Sequence, residues 1–401
     1  MTRFEDSSYP VLYRGSVKDL RGPVEFSKSV PGVIFDYSDA YSVFDWGRMP
    51  DLLPHKGESL ALIAASWFEK LELAETWKDF SRSPAATQLR KGNRFGATFN
   101  ELGEDLQRTG LRTHYLGVLK DLPEPLALSA IQTPVRHLAV RAVNVVRPEM
   151  SLVLGRQIPD YLPTRSAKPP RLVPLEVVFR FSCPPGSSLF DRVSRDPNYL
   201  ASIGFGEWKM GEGSWDFPIL EMFTKLESMD RSLSLTEAVA ISGLPAAQVQ
   251  RLLLSTAWVA GWLRSVCQKA GVELADGKLE WGVDEHGSLI LVDAIGPDEL
   301  RLLKDGVQLS KEFLRIHYRQ TSWYAALSRG REQGKAQGVS EWKKFVTEQP
   351  PALPPTQKEL ASQLYRALAN ELTGRRWFEN AWSLQKVVDG IRQALASEGR
   401  E

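Results

Sequence analysis

The order of elements constrains this chain more than any single motif does. Strand-like segments open it, helical periods close it, and no strand–helix–strand alternation develops between them. A parallel, doubly wound sheet needs that alternation, so the expected class is α+β. VLYRGSVKDL (11–20), GPVEFSKSV (22–30) and GVIFDYSD (32–39) read as strands with Gly and Pro at their joints. SLALIAASWFEKLELAETW (59–77) places Leu60, Ile63, Ala64, Trp67 and Leu71 on one helical face. HLAVRAVNVV (137–146) and LVPLEVVFRF (172–181) read as strands, and 244–271 as a long amphipathic helix stopped by Gly271. KLEWGV (278–283) and SLILVD (288–293) are the arms of a hairpin. Residues 147–170 hold five prolines and no sustained period, which predicts an inserted loop or hairpin. After Arg301 the pattern is mostly helical, and QPPALPP (349–355) precedes two closing helices.

Charge and cysteine usage narrow the function classes. Fifty basic residues against 49 acidic leave a formal charge of +1, which argues against a nucleic-acid binder. Cys183 and Cys267 form no Cys-x-x-Cys pair and no disulfide framework, as expected in a reducing cytosol. MTRFEDSSYP lacks an apolar signal core. The apolar stretch Leu252–Leu263 is shorter than the roughly 20 residues a bilayer requires, so no membrane association is expected. Small-molecule partners and a cytoplasmic location follow, with a monomer permitted and oligomeric state open.

Three places could carry chemistry. A two-residue turn at His286-Gly287 would set Glu280 directly opposite Asp293, with Lys278 on the face of Glu280. Like charges opposed on a sheet are unfavourable, and a hard cation such as Mg²⁺ would reverse that; two solvated carboxylates on an open face are the alternative. Gly15 and Lys18 could meet a phosphate, or form an ordinary turn with a surface lysine. In RFSCPPGSS (180–188), Arg180 and the serines could hold a phosphate, or line an exposed loop with a charge-balancing arginine. Asp298 and Arg301 have the spacing of a helical i, i+3 ion pair. The five histidines lack metal-site spacing, and no P-loop or G-x-G-x-x-G occurs.

These pieces stand in a collinear order that resembles the SAICAR synthetase family of purine biosynthesis. The run comprises YRGSVKDL (13–20), SDAYSVFD (38–45), LPHKG (53–57), RTH (112–114), PLEVVFR (174–180), GSS (186–188), FTKLE (223–227), DGKLEWG (276–282), LVDAIGPDELRL (291–302) and YRALANELTG (365–374). The resemblance implies a two-lobed ATP-binding fold related to ATP-grasp and kinase architectures, with a helical C-terminal extension. Its expected divisions are an N-terminal lobe over 1–146, a Pro-rich insertion over 147–170, a substrate and metal lobe over 171–330, and the extension over 331–401. It further implies an ATP- and Mg²⁺-dependent ligase that phosphorylates the carboxylate of CAIR (carboxyaminoimidazole ribonucleotide) and joins it to aspartate. On that resemblance Gly15, Lys18 and Lys225 meet the nucleotide, and Asp276, Glu280 and Asp293 hold the metal. Lys278, Asp298 and Asp230 are catalytic, and Asp45, Lys56, Arg180, Ser187 and Arg301 border the substrates. The chain departs from the family pattern at Ser16, Ala40, Arg231, Ala294 and Leu300. A paralogue acting on another phosphorylated carboxylate, or a weakly active nucleotide-binding protein, are the other readings.

Overall fold

The computed structural model describes residues 9–26, 29–91, 95–120, 124–211, 213–227, 230–309, 311–337 and 341–398. It is α+β, as expected. The chain divides into two compact units, neither contiguous in sequence. The first takes Met1–Trp67, Tyr115–Ala142 and Gly296–Glu401; the second takes Phe68–His114 and Val143–Ile295. This interleaving replaces the serial divisions at 146, 170 and 330 read from the sequence. Local composition carries no mark of a chain leaving one unit and returning to it.

The first unit is built on an antiparallel sheet of β1 (Val11–Arg14), β2 (Lys18–Phe26), β3 (Val30–Tyr37), β4 (Tyr115–Leu119) and β5 (His137–Arg141), in the order β1-β2-β3-β5-β4. The β2–β3 register shifts between Arg21 and Val24, where Pro23 has no N–H to give to the ladder. Val24, Phe26, Ile34, Leu119 and Ala139 form one buried cluster on this sheet. The two closing helices are Pro355–Thr373, which stops at left-handed Gly374, and Leu384–Glu398.

In the second unit, the stretch expected to be a loop or hairpin is a two-stranded ribbon, β6 (Glu149–Val153) with β7 (Arg156–Asp160). The main sheet holds β8 (Arg171–Ser182), β9 (Ser214–Thr224), β10 (Ser232–Leu233), β11 (Glu273–Val283) and β12 (Leu289–Val292). The order runs β10-β9-β8-β11, and β12 also pairs with β11. The helix Ala246–Lys269 packs Trp258 flat on Phe99 at 4.7 Å between ring centres. Trp281 of β11 donates to the Thr256 hydroxyl of that helix at 3.0 Å, which fixes the strand on the core. No helix among the described residues is long and apolar enough to cross a membrane.

The helix Gly96–Thr109 ends at Gly110, with φ 71°, and a Cβ there would lie 1.9 Å from the Glu72 carbonyl oxygen. Gly110→Ala is therefore expected to destabilise the protein by about 1–3 kcal/mol. Urea denaturation checks this. An unchanged midpoint would mean that the Glu72 turn moves aside at no cost.

Candidate active site

In the second unit, antiparallel pairing sets Arg180 opposite Asp276, Val178 opposite Lys278 and Glu176 opposite Glu280. Side chains alternate along a strand, so Glu176, Arg180, Asp276, Lys278 and Glu280 share one face of the sheet. β9 adds Glu221, opposite Val178, and Lys225 follows that strand directly. Glu176, Arg180, Glu221, Asp276 and Glu280 are all buried. A charged face survives burial only where opposite charges and hydrogen bonds satisfy it.

Two lysines satisfy one end. The opposed Glu176 and Glu280 would repel, but Lys225 reaches them at 3.2 and 2.8 Å, and Lys278 at 2.8 and 3.5 Å. Burial weakens the Lys278 ammonium, and Glu176, Glu280 and Asp293 more than reverse this, so its proton is held more tightly than usual. Glu280 goes the other way. Burial and the charge of Asp293 push it up to about 7, against the pull of Lys225 and Lys278.

The hairpin carrying these groups turns differently from the expected two-residue loop. The Gly287 N–H donates to the Asp284 carbonyl at 3.0 Å, the Asp284 N–H donates to the Ser288 carbonyl at 2.9 Å, and Gly287 has φ 79°. This is a three-residue loop with a left-handed last residue. The Asp284 carboxylate braces it by accepting from the N–H groups of His286 and Ser288 at 2.9 and 2.8 Å. Glu280 therefore pairs with Val292, and the predicted register with Asp293 is one residue off. A slip of one residue ordinarily sends a side chain to the other face. Asp293 escapes because it lies just past β12 at φ 64°, which breaks the alternation, and its charge still acts on Glu280. The Nε2 of His114 donates to the Asp293 carbonyl at 3.0 Å, and Thr113 bridges in parallel to Leu291. The RTH segment thus fixes the backbone that presents Asp293.

Burial first, and the charge of Asp293 second, raise the proton affinity of Glu280, and carboxylate oxygens are the ligand type a hard cation takes. Asp276 does not fit with them, because its carboxylate is taken by Arg180 at 2.8 Å. Among the described residues no three His, Cys, Asp or Glu side chains are grouped so as to hold an ion. The predicted set of Asp276, Glu280 and Asp293 is therefore not one cluster.

Arg180 and Ser187 meet, as a shared phosphate site would require, at 3.3 Å. The guanidinium is already committed, however. It donates to Glu221 at 2.6 Å and to Asp276 at 2.8 Å, and these two carboxylates raise its pKa against the effect of burial. It is neither an open phosphate ligand nor an exposed loop charge. Ser187 caps the helix Ser188–Arg195, accepting from the Leu189 N–H at 3.4 Å. Arg192 of that helix pairs with Glu221 at 2.6 Å and donates to the Ser188 hydroxyl at 3.3 Å. Sequence reasoning missed Glu176, Glu221 and Arg192. A lone acid inside an apolar strand, as in PLEVVFR and FPILEMF, was the available signal for the first two.

The first unit holds other predicted residues. The Gly15 N–H donates to the Lys18 carbonyl at 3.1 Å, and a Cβ on Gly15 would stand 2.4 Å from that oxygen, so the turn itself demands glycine. The Lys18 ammonium lies 4.8 Å from the Phe35 ring centre. Lys56 and Asp298 are paired at 2.9 Å with side chains only 0% and 1% exposed. Asp298 also pairs with Lys311 at 3.2 Å and accepts from the Tyr365 hydroxyl at 2.7 Å. Burial lowers the Lys56 pKa. Expected to border the substrate and to act on it, Lys56 and Asp298 are instead sealed inside a charged network of the fold. Arg301 lies on β13 (Leu300–Lys304), which pairs with β14 (Val307–Gln308). Asp45 lies on an exposed loop of this unit, while Asp230 is exposed after β9 in the second.

Comparison with known proteins gives this arrangement a context. The sequence model of the SAICAR synthetase family matches residues 164–329. A protein of Archaeoglobus fulgidus, provisionally described as a phosphoribosylaminoimidazole-succinocarboxamide synthase, is 34% identical over 386 residues, covering 95% of this chain and 99% of the relative. The phosphoribosylaminoimidazole-succinocarboxamide synthase of Thermoplasma acidophilum is 24% identical over 378 residues, covering 92% and 99%. The structure of SAICAR synthase from Saccharomyces cerevisiae complexed with SAICAR aligns with a TM-score of 0.55 at 19% identity, over 94% of this chain and 99% of that one.

Proposed function

The chain belongs to the SAICAR synthetase family of carbon–nitrogen ligases, and on that premise we propose that it joins the carboxylate of CAIR to the amine of aspartate, at the cost of ATP, in purine biosynthesis. The observation that carries this reading is the pairing of buried Glu176 and Glu280 with half-buried Lys225 and Lys278, and with the charge of Asp293 acting on Glu280, in a chain similar along 95% of its length to a SAICAR synthase relative. A carboxylate becomes an electrophile only when one oxygen becomes a leaving group, which phosphorylation by ATP provides. Positioning and charge neutralisation supply most of the catalysis in phosphoryl transfer.

In this reading Glu280 and Asp293 would hold Mg²⁺, which when bound neutralises phosphate charge. Lys225 and Lys278 orient the two glutamates now and have ammonium protons to offer phosphate oxygens. Gly15 and Lys18 serve the nucleotide. Ser187, Ser188 and Arg192 take the ribose phosphate. Arg180 acts behind them, holding the serines against Glu221 and Asp276. Lys56 and Asp298 brace the segment that leads into Arg301.

The test is amide formation by the purified chain with CAIR, aspartate, ATP and Mg²⁺, following ADP and product together. One ADP per amide, lost when any component is omitted, is expected. ADP release without amide from aspartate, but with amide from another amino acid, would replace the donor. No amide from any donor would overturn the reading.

A further inference from the structure

The loop after β3 contains two consecutive residues with side chains in the left-handed region, Phe44 at φ 54° and Asp45 at φ 56°. Such a backbone is disfavoured for any residue with a Cβ and persists only where the surroundings over-determine it. Arg331, from the helix Ser322–Ala336, is the principal restraint. Its guanidinium donates to the Phe44 carbonyl and lies 3.2 Å from one oxygen of the Asp45 carboxylate. The same guanidinium sits 4.7 Å over the Trp342 ring. Phe44 is boxed by Tyr324 at 4.7 Å and by the Arg319 guanidinium at 5.6 Å, and Trp46 meets Trp323 at 5.6 Å.

The product of this construction is one carboxylate. Asp45 stands 94% exposed on a backbone that is strained and yet tightly held. A fold gains nothing from straining its backbone to display a solvated acid, whereas a ligand site gains a fixed direction. A displayed carboxylate is suited to an ammonium group. We infer that Arg331 is a positioning residue that holds Asp45 toward the ammonium of the incoming amino acid. This rests on the ligase reading above and names its amine-recognising element.

The experiment is steady-state kinetics of the full chain carrying Arg331→Ala, Arg331→Lys, Asp45→Asn and the Arg331→Ala/Asp45→Asn pair. Arg331→Ala should raise KM for the amino acid roughly ten- to a hundredfold, as misplacement of a recognition group does. KM for the carboxylate ribonucleotide should stay within about twofold, the scatter of independent effects. Arg331→Lys keeps the charge but loses the fork, and should recover part of the loss. In the Asp45→Asn background, Arg331→Ala should add less than about twofold, because its action runs through the aspartate. Equal shifts in both KM values, or fully additive effects in the pair, would make Arg331 merely structural and overturn the inference. A wild-type chain that forms no amide with any donor would instead remove the ligase reading, and this inference with it.

Discussion

Arg180→Ala is expected to destabilise the protein by about 3–5 kcal/mol, the cost of leaving buried charge without its partner. The change strands two carboxylates at once, Glu221 at 2.6 Å and Asp276 at 2.8 Å from the guanidinium. Glu221 keeps Arg192 and the Tyr199 hydroxyl, at 2.6 and 2.9 Å, so part of its charge stays compensated. Against a total stability of about 5–15 kcal/mol, such a loss would leave the variant close to unfolding. Arg180→Lys should fall between, since an ammonium cannot bridge both acids in the plane of a fork. Denaturant titration of the three proteins decides it. A variant of normal stability, impaired only in KM for the ribonucleotide, would restore Arg180 as a direct phosphate ligand.

Glu280→Gln should behave in the opposite manner, losing turnover while keeping the fold. Glutamine preserves the shape of the side chain, and Lys225 retains Glu176 at 3.2 Å. What disappears is a negative oxygen ligand for the cation beside Asp293, and with it charge neutralisation in the transition state. Loss of at least about a hundredfold in kcat is expected, since even disturbing the groups behind a metal ligand costs ten- to a hundredfold. Asp293→Asn should match it. Both variants are compared with wild type at saturating Mg²⁺, with denaturation midpoints as the control. Near-normal turnover in either would reduce the carboxylates to internal partners of Lys225 and Lys278.

The fold was legible where local pattern and tertiary burial agree. The helix 246–269 lies within the segment its periodicity marks, and β8 contains the whole of its marked segment, while β11 begins at Glu273, ahead of the marked arm at Lys278. The α+β class followed from element order. The hairpin register was not legible, because Gly287 can close either a two-residue turn or the last position of a three-residue loop, and the sequence is the same in both cases. The site was legible by residue type and illegible by partner. Arg180 has the chemistry of a phosphate ligand, but its neutralising acids come from β9 and β11, strands distant in sequence. Lys56 and Asp298 likewise meet only through tertiary structure. The opposition of Glu176 and Glu280 follows from β8 lying next to β11, which no alternation within either strand can announce.

The interleaving of the two units has a consequence for how the molecule comes into being. The sheet of the first unit is made of the earliest strands, yet Gly296–Glu401 belongs to the same unit. On a ribosome, where domains generally fold as units from the N-terminus onward, the second unit has its whole sequence by Ile295 while the first still lacks about a quarter of the chain. The unit that begins first therefore finishes last. A nonsense codon after residue 295 would leave a complete second unit joined to the strands of a first unit that lacks everything from Gly296 onward. Such a fragment is a substrate for chaperones and proteases, and not a smaller enzyme.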